Sequence, residues 1–157
     1  MEKFYQTILT YISKRPTLKK IILIIVKYSP YITMAIYPCI LIYLLIIQSP
    51  LLLQVLYKPF GAFIVVTIIR KLVNRKRPYE TLNIEPLVAH KKGESFPSRH
   101  AVSSMIIGLV CFYVHPILGI FGVTVATIVC LSRIIAGVHY ISDVLVAIAI
   151  AIIFYII

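Results

Sequence analysis

Acidic residues are scarce in this sequence: five Asp and Glu stand against 16 Lys and Arg in 157 residues, for a formal net charge of +11. Charges of both signs together make up only 13% of the chain while hydrophobic residues make up 61%, which excludes the ordinary balance of a water-soluble domain. On a soluble chain such a basic excess would suggest nucleic acid; on one this apolar the partner is the anionic head-group layer of a bilayer, and no nucleic-acid role is expected. The three cysteines, Cys39, Cys111 and Cys130, lie inside apolar runs without C-x-x-C spacing or paired histidine ligands, so they are read as small buried hydrophobes. Residues 1–16 are polar and charged and lack an apolar stretch ending in small residues, so no cleavable signal peptide is expected. Internal repeats and low-complexity linkers are also missing, and the length is that of one domain.

What is present is a series of long apolar runs. Residues 1–28 interleave Phe4, Tyr5, Ile8, Leu9, Tyr11 and Ile12 with Lys3, Lys14, Arg15, Lys19 and Lys20, the pattern of an interfacial amphipathic helix, with Pro16 dividing it. Residues 29–157 form a transmembrane domain with spans expected at 30–47, 51–69, 98–114, 117–131 and 138–157. Lys58-Pro59 and Gly61 should break or bend the second of these. The expected fold is all-α, a multi-pass transmembrane helical bundle of five spans, or six if the N-terminal segment also crosses. The long polar segment, 79–96, carries three of the five acids (Glu80, Glu85, Glu94) and reads as a loop at one membrane face. His115-Pro116 is read as a turn without chemistry.

One stretch, SRIIAGVHYISD from Ser132 to Asp143, places an arginine, a histidine and an aspartate in apolar surroundings. On a helix, His139 and Asp143 would project from one face one turn apart, so the carboxylate could fix the imidazole tautomer. Because each span carries the chain from one face to the other, the second span delivers Arg70 and Arg77 to one side. The third leaves that side from Ser98, Arg99 and His100, the fourth returns to it at Ser132-Arg133, and the fifth leaves it from His139 and Asp143. Such a set suits phosphoryl transfer. Arginine forks match phosphate oxygens, and a serine opening a helix offers an anion site. Two histidines can divide nucleophilic attack and proton transfer between them. With one Asp and no Cys in the constellation a metal cage is hard to build, so no metal or other cofactor is expected.

These residues resemble the signature of the phosphatidic-acid-phosphatase type 2 superfamily of lipid phosphatases, Lys-x6-Arg-Pro, Pro-Ser-Gly-His and Ser-Arg-x5-His-x3-Asp. The third motif is complete in Ser132, Arg133, His139 and Asp143. The second reads Pro97-Ser98-Arg99-His100, with Arg for Gly, and the first reads Arg70-x6-Arg77-Pro78, with Arg for Lys. The resemblance implies that His139 is the nucleophile, Asp143 its orienting carboxylate and His100 the acid/base, with Arg70, Arg77, Ser98 and Arg133 holding the phosphate. It implies phosphatidic acid, phosphatidylglycerophosphate or undecaprenyl diphosphate as substrate, a phosphohistidine intermediate, and a site facing outward from the cell membrane. The positive-inside rule, taken literally, puts the same face in the cytoplasm. Abundant Ile and Lys suit a low-GC bacterium. The alternative is a catalytically silent membrane protein that binds anionic lipid head groups through the same basic face. The related vanadium haloperoxidase chemistry would need a soluble scaffold, which this composition excludes.

Overall fold

The computed structural model describes residues 1–88 and 91–157; the 79–96 loop is therefore seen apart from residues 89 and 90, which lie outside the described residues. Among the described residues there is no strand. The helices are α1 (Glu2–Ser13), α2 (Pro16–Ile46), α3 (Leu51–Val73), the single turn α4 (Pro78–Thr81), α5 (Arg99–Val110, extended by a 3-10 turn at Cys111–Tyr113), α6 (Pro116–Ile135) and α7 (Ile141–Ile156). Helix α5 is the central one. It packs against α6, α7, α3 and α2, and eight of its twelve residues, including Val102, Ser104, Ile106 and Val110, are buried all round the helix. Its close approach to α6 depends on two glycines: a Cβ on Gly108 would stand 2.7 Å from the Gly122 carbonyl carbon.

Pro16 divides the N-terminal segment, as its position at the first turn of α2 permits, since its missing N–H would be unpaired there anyway. Helix α1 buries Tyr5, Leu9 and Ile12, spaced four and three apart, and leaves Phe4 and Tyr11 exposed. The helix that contains the span expected from Pro30 begins at Pro16, and Pro30 and Pro38 lie inside these 31 helical residues. That helix is about 46 Å long, against about 30 Å of bilayer hydrocarbon. The break expected at Lys58-Pro59 is likewise absent, for α3 runs unbroken past Pro59.

Pro30 and Pro59 are tolerated for an identifiable reason. A proline removes the N–H that would bond the carbonyl four residues back. Pro30 thereby frees the carbonyl of Val26, which accepts a hydrogen bond from Arg133 Nη2 at 2.6 Å. Pro59 frees the carbonyl of Val55, which accepts one from the Tyr37 hydroxyl at 3.1 Å. Side chains from neighbouring helices thus replace the lost ladder bonds. Lys58 is buried and donates to the carbonyl of Tyr155 at 2.8 Å and to the Tyr113 hydroxyl at 3.0 Å, which ties α3 to the C-terminal end of α7.

Helices α2, α6 and the one that starts at Leu51 are long and apolar enough to cross a membrane, while Arg99–Tyr113 and Ile141–Ile156 are shorter apolar helices. Large side chains such as Leu45, Leu53, Leu145 and Ile153 are exposed on the outside of the bundle, a girdle that lipid rather than water must cover. Cys111 and Cys130 are buried as expected; Cys39 is exposed.

Candidate active site

Helical stripes deliver the polar residues to one end of the bundle. On α3 the buried positions Val55, Pro59, Ala62, Val66 and Arg70 recur every three or four residues, so the stripe that packs against the core ends in an arginine. On α7 the buried stripe Asp143, Ala147, Ala151 begins with the aspartate. The starts of α5 and α7 are stapled together, the Ser98 amide donating to the Asp143 carbonyl at 3.1 Å.

His139 is not on a helix. It lies in the turn between α6 and α7, after Gly137 at φ +72° and before Tyr140, whose extended backbone caps α7. Its nearness to Asp143 arises from capping: Asp143 sits in the first turn and its Oδ2 accepts the Tyr140 amide at 3.0 Å. The carboxylate that closes the helix N-terminus therefore also faces the imidazole, with Nδ1 3.5 Å from Oδ2. The Tyr5 hydroxyl of α1 donates to the His139 carbonyl at 3.0 Å and holds the turn from behind. Burial pushes the His139 imidazole below its ordinary range, and Asp143 opposes that shift, so the ring is neutral at neutral pH with Nε2 on the side away from Asp143.

Arg77 Nη1 stands 3.5 Å from that Nε2 and donates to the Val138 carbonyl at 3.0 Å, while its Nε donates to the Gly93 carbonyl at 3.1 Å. Glu80 fixes the loop that carries Arg77: its Oε2 accepts the amides of Arg77 and Gly93, both at 2.8 Å, and these bonds hold its carboxyl below the usual carboxylate range. Arg70 donates to the Pro97 carbonyl at 2.9 Å and lies 3.7 Å from Glu94. Arg70, Arg77, Arg99, His100 and His139 line a polar cavity of about 140 Å³, with the exposed Lys91 and Lys92 beside them and Glu94 a carboxylate in its wall. Its electrostatics favour a small, multiply charged anion.

Of the seven residues expected at the site, four line this cavity: Arg70, Arg77, His100 and His139. Asp143 lies behind His139. Ser98 is fully buried at the N-cap of α5, outside the lining, and its Oγ has no hydrogen-bond partner among the described residues. Arg133 differs from the expectation, being turned to the Val26 carbonyl that Pro30 frees. Two residues not singled out in the sequence complete the setting. Ser95 donates to Asp143 Oδ2 and lies 3.4 Å from His139 Nδ1, and Arg75 donates to Asp143 Oδ1 at 2.8 Å. No spacing rule marks either one, since both are placed by loops. Arg99 and His100 also line a second, larger cavity of about 580 Å³. Its walls are otherwise mostly apolar, with Tyr37 and Met34 from α2, Phe60 and Phe63 from α3 and Ile107 from α5.

A cationic cavity with a carboxylate-backed histidine thus shares Arg99 and His100 with an apolar cleft in an all-helical bundle. The chain belongs to the PAP2 superfamily, whose family model matches residues 51–157. It is 36% identical over 88 residues to the bacitracin transport permease protein BcrC of Bacillus licheniformis, a match covering 53% of this chain and 43% of that relative, so it spans less than half the relative's length. Its fold is similar to the crystal structure of Aquifex aeolicus LpxE, with a TM-score of 0.76 and 22% identity over 98% of this chain and 91% of that one. It is also similar to a PAP2-type phosphatidylglycerolphosphate phosphatase from Bacillus subtilis, with a TM-score of 0.79 and 18% identity over 99% of this chain and 80% of that one.

Proposed function

We propose that this chain is a metal-independent phosphatase that hydrolyses a lipid phosphomonoester or diphosphate through a phosphohistidine. The observation that carries this reading is His139 itself, neutral, with Nδ1 toward Asp143 and Nε2 toward the arginine-lined cavity. Arg70 and Arg77 hold the phosphate oxygens, with the Ser98 hydroxyl and the first amides of α5 as further donors. Nε2 attacks phosphorus, the bond from phosphorus to the leaving oxygen breaks, and His100 gives that oxygen a proton. His100 then removes a proton from water, the water oxygen attacks the phosphohistidine, and inorganic phosphate leaves with His139 restored. Arg133, a phosphate ligand by family resemblance, supports the site from its bond to Val26 in this arrangement. The substrate's hydrocarbon lies in the apolar cavity that shares Arg99 and His100 with the polar one.

Helices α2, α3, α5 with its 3-10 turn, α6 and α7 are taken as five spans with α1 at the interface, in a bacterial membrane with the site facing outward. Phosphatidic acid, phosphatidylglycerophosphate and undecaprenyl diphosphate are the candidate substrates. The purified protein in detergent with excess chelator should release phosphate from at least one of them, and intact cells should release it from an impermeant short-chain analogue. No release from any of the three by folded protein would favour the silent, lipid-binding reading; release only after permeabilisation would turn the site inward.

A further inference from the structure

Within the first motif, between Arg70 and Arg77, stands a side chain that the proposed chemistry does not use. Arg75 follows α3, and its Nη1 donates to Asp143 Oδ1 and to Ser142 Oγ, each at 2.8 Å. Its guanidinium carbon stands over the Tyr140 ring, 4.1 Å from the centroid, within cation–π range. Its backbone carbonyl accepts the Ser95 amide at 2.8 Å, and the Ser95 hydroxyl in turn donates to Asp143 Oδ2. Asp143, with no solvent exposure, is therefore gripped at both oxygens: by Arg75 on one, and by Ser95 and the Tyr140 amide on the other. Arg75 itself does not line the polar cavity.

Resting on the proposed role of His139, we infer that Arg75 is a positioning residue that sets how strongly Asp143 acts on the His139 imidazole. A carboxylate shared with a guanidinium exerts less pull on a proton at the neighbouring ring, so the nucleophile stays unprotonated. The other groups facing His139 are Arg77 at 3.5 Å and Ser95 at 3.4 Å, Arg70, Lys91, Lys92, Glu94, Arg99 and His100 around the cavity, and Tyr5 on its carbonyl. Removing Arg75 takes away a positive charge near the imidazole and leaves the full Asp143 charge acting on it. Both changes favour the imidazolium, so the His139 pKa rises.

The test is the titration of His139 by nuclear magnetic resonance in the full chain in detergent, labelled with 15N-histidine and assigned with His139→Asn. Arg75→Ala and Arg75→Gln should raise the His139 pKa by about one pH unit, while Arg75→Lys should stay near wild type. Arg75→Gln retains a hydrogen-bond donor toward Asp143 and guards against loss of folding in the alanine variant. In turnover, the same two variants should move the acid limb of the pH profile upward by about one pH unit with KM unchanged, and kcat should return to near the wild-type value on the alkaline side of that limb. An unmoved His139 titration in a folded Arg75→Gln protein overturns the inference. Because the titration needs no substrate, a protein that shows the shift yet releases no phosphate defeats the proposed function alone, and an active protein with an unmoved titration defeats the role of Arg75 alone.

Discussion

Replacing His139 by alanine is expected to lower phosphate release by on the order of 10⁴-fold or more, because it removes the imidazole that Asp143 backs at the arginine-lined cavity. The loss is expected to be one of rate and not of structure. The turn that carries His139 is held by backbone groups: its carbonyl accepts from Tyr5, the Val138 carbonyl accepts from Arg77, and the Leu87 amide donates to Ala136. None of these bonds involves the imidazole. Phosphate binding should survive as well, since Arg70 and Arg77 are oriented by Pro97, Gly93 and Val138 rather than by the histidine. The measurement is single-turnover release at matched amounts of folded protein. Activity within tenfold of wild type in His139→Ala would remove His139 from the chemistry.

Asp143→Asn is expected to lower the rate by about 10³–10⁴-fold through loss of the tautomer-fixing carboxylate. It should also lower stability. The aspartate accepts on both oxygens, from Arg75 on one and from Ser95 and the Tyr140 amide on the other. An asparagine amide can keep only one of these sides as an acceptor. Turned one way its NH2 opposes the Arg75 guanidinium; turned the other it opposes the Tyr140 amide and strips α7 of its cap. Leaving a buried donor unmatched costs about 1–3 kcal/mol, which a thermal or denaturant midpoint in detergent would register. An asparagine variant that loses stability but keeps full turnover would make Asp143 a helix cap and nothing more.

The end of the bundle was legible in the sequence because counting apolar runs needs only their lengths and the expectation that each carries the chain from one end of the bundle to the other. Arg70, Arg77, His100 and His139 meet around one cavity on that basis. The pairing of His139 with Asp143 was foreseen for the wrong reason. A four-residue spacing suggests one helix face, but Gly137 at positive φ ends the preceding helix geometry and α7 starts only at Ile141, so the pair meets through a helix cap. The spacing is the same and the geometry is not. The bond made by Arg133 was not legible: nothing near it in sequence reveals that Pro30, more than a hundred residues away, frees a carbonyl within its reach. Pro59 misled in the same way, because the hydroxyl that keeps α3 continuous belongs to Tyr37 on another helix. Ser95 and Arg75 were invisible because loops, unlike helices, carry no period from which a side chain's direction can be read.

In the proposed reaction a phosphoryl group passes through His139 without a metal. The direct measurement is to mix the protein, in excess chelator, with a lipid phosphate carrying 32P in the scissile group, stop the reaction in alkali within one turnover, and map the label. An acid-labile, alkali-stable label is expected on the peptide containing His139, and none in His139→Asn. Turnover that persists in His139→Asn, or that proceeds in wild type only when a divalent cation is restored, would contradict it.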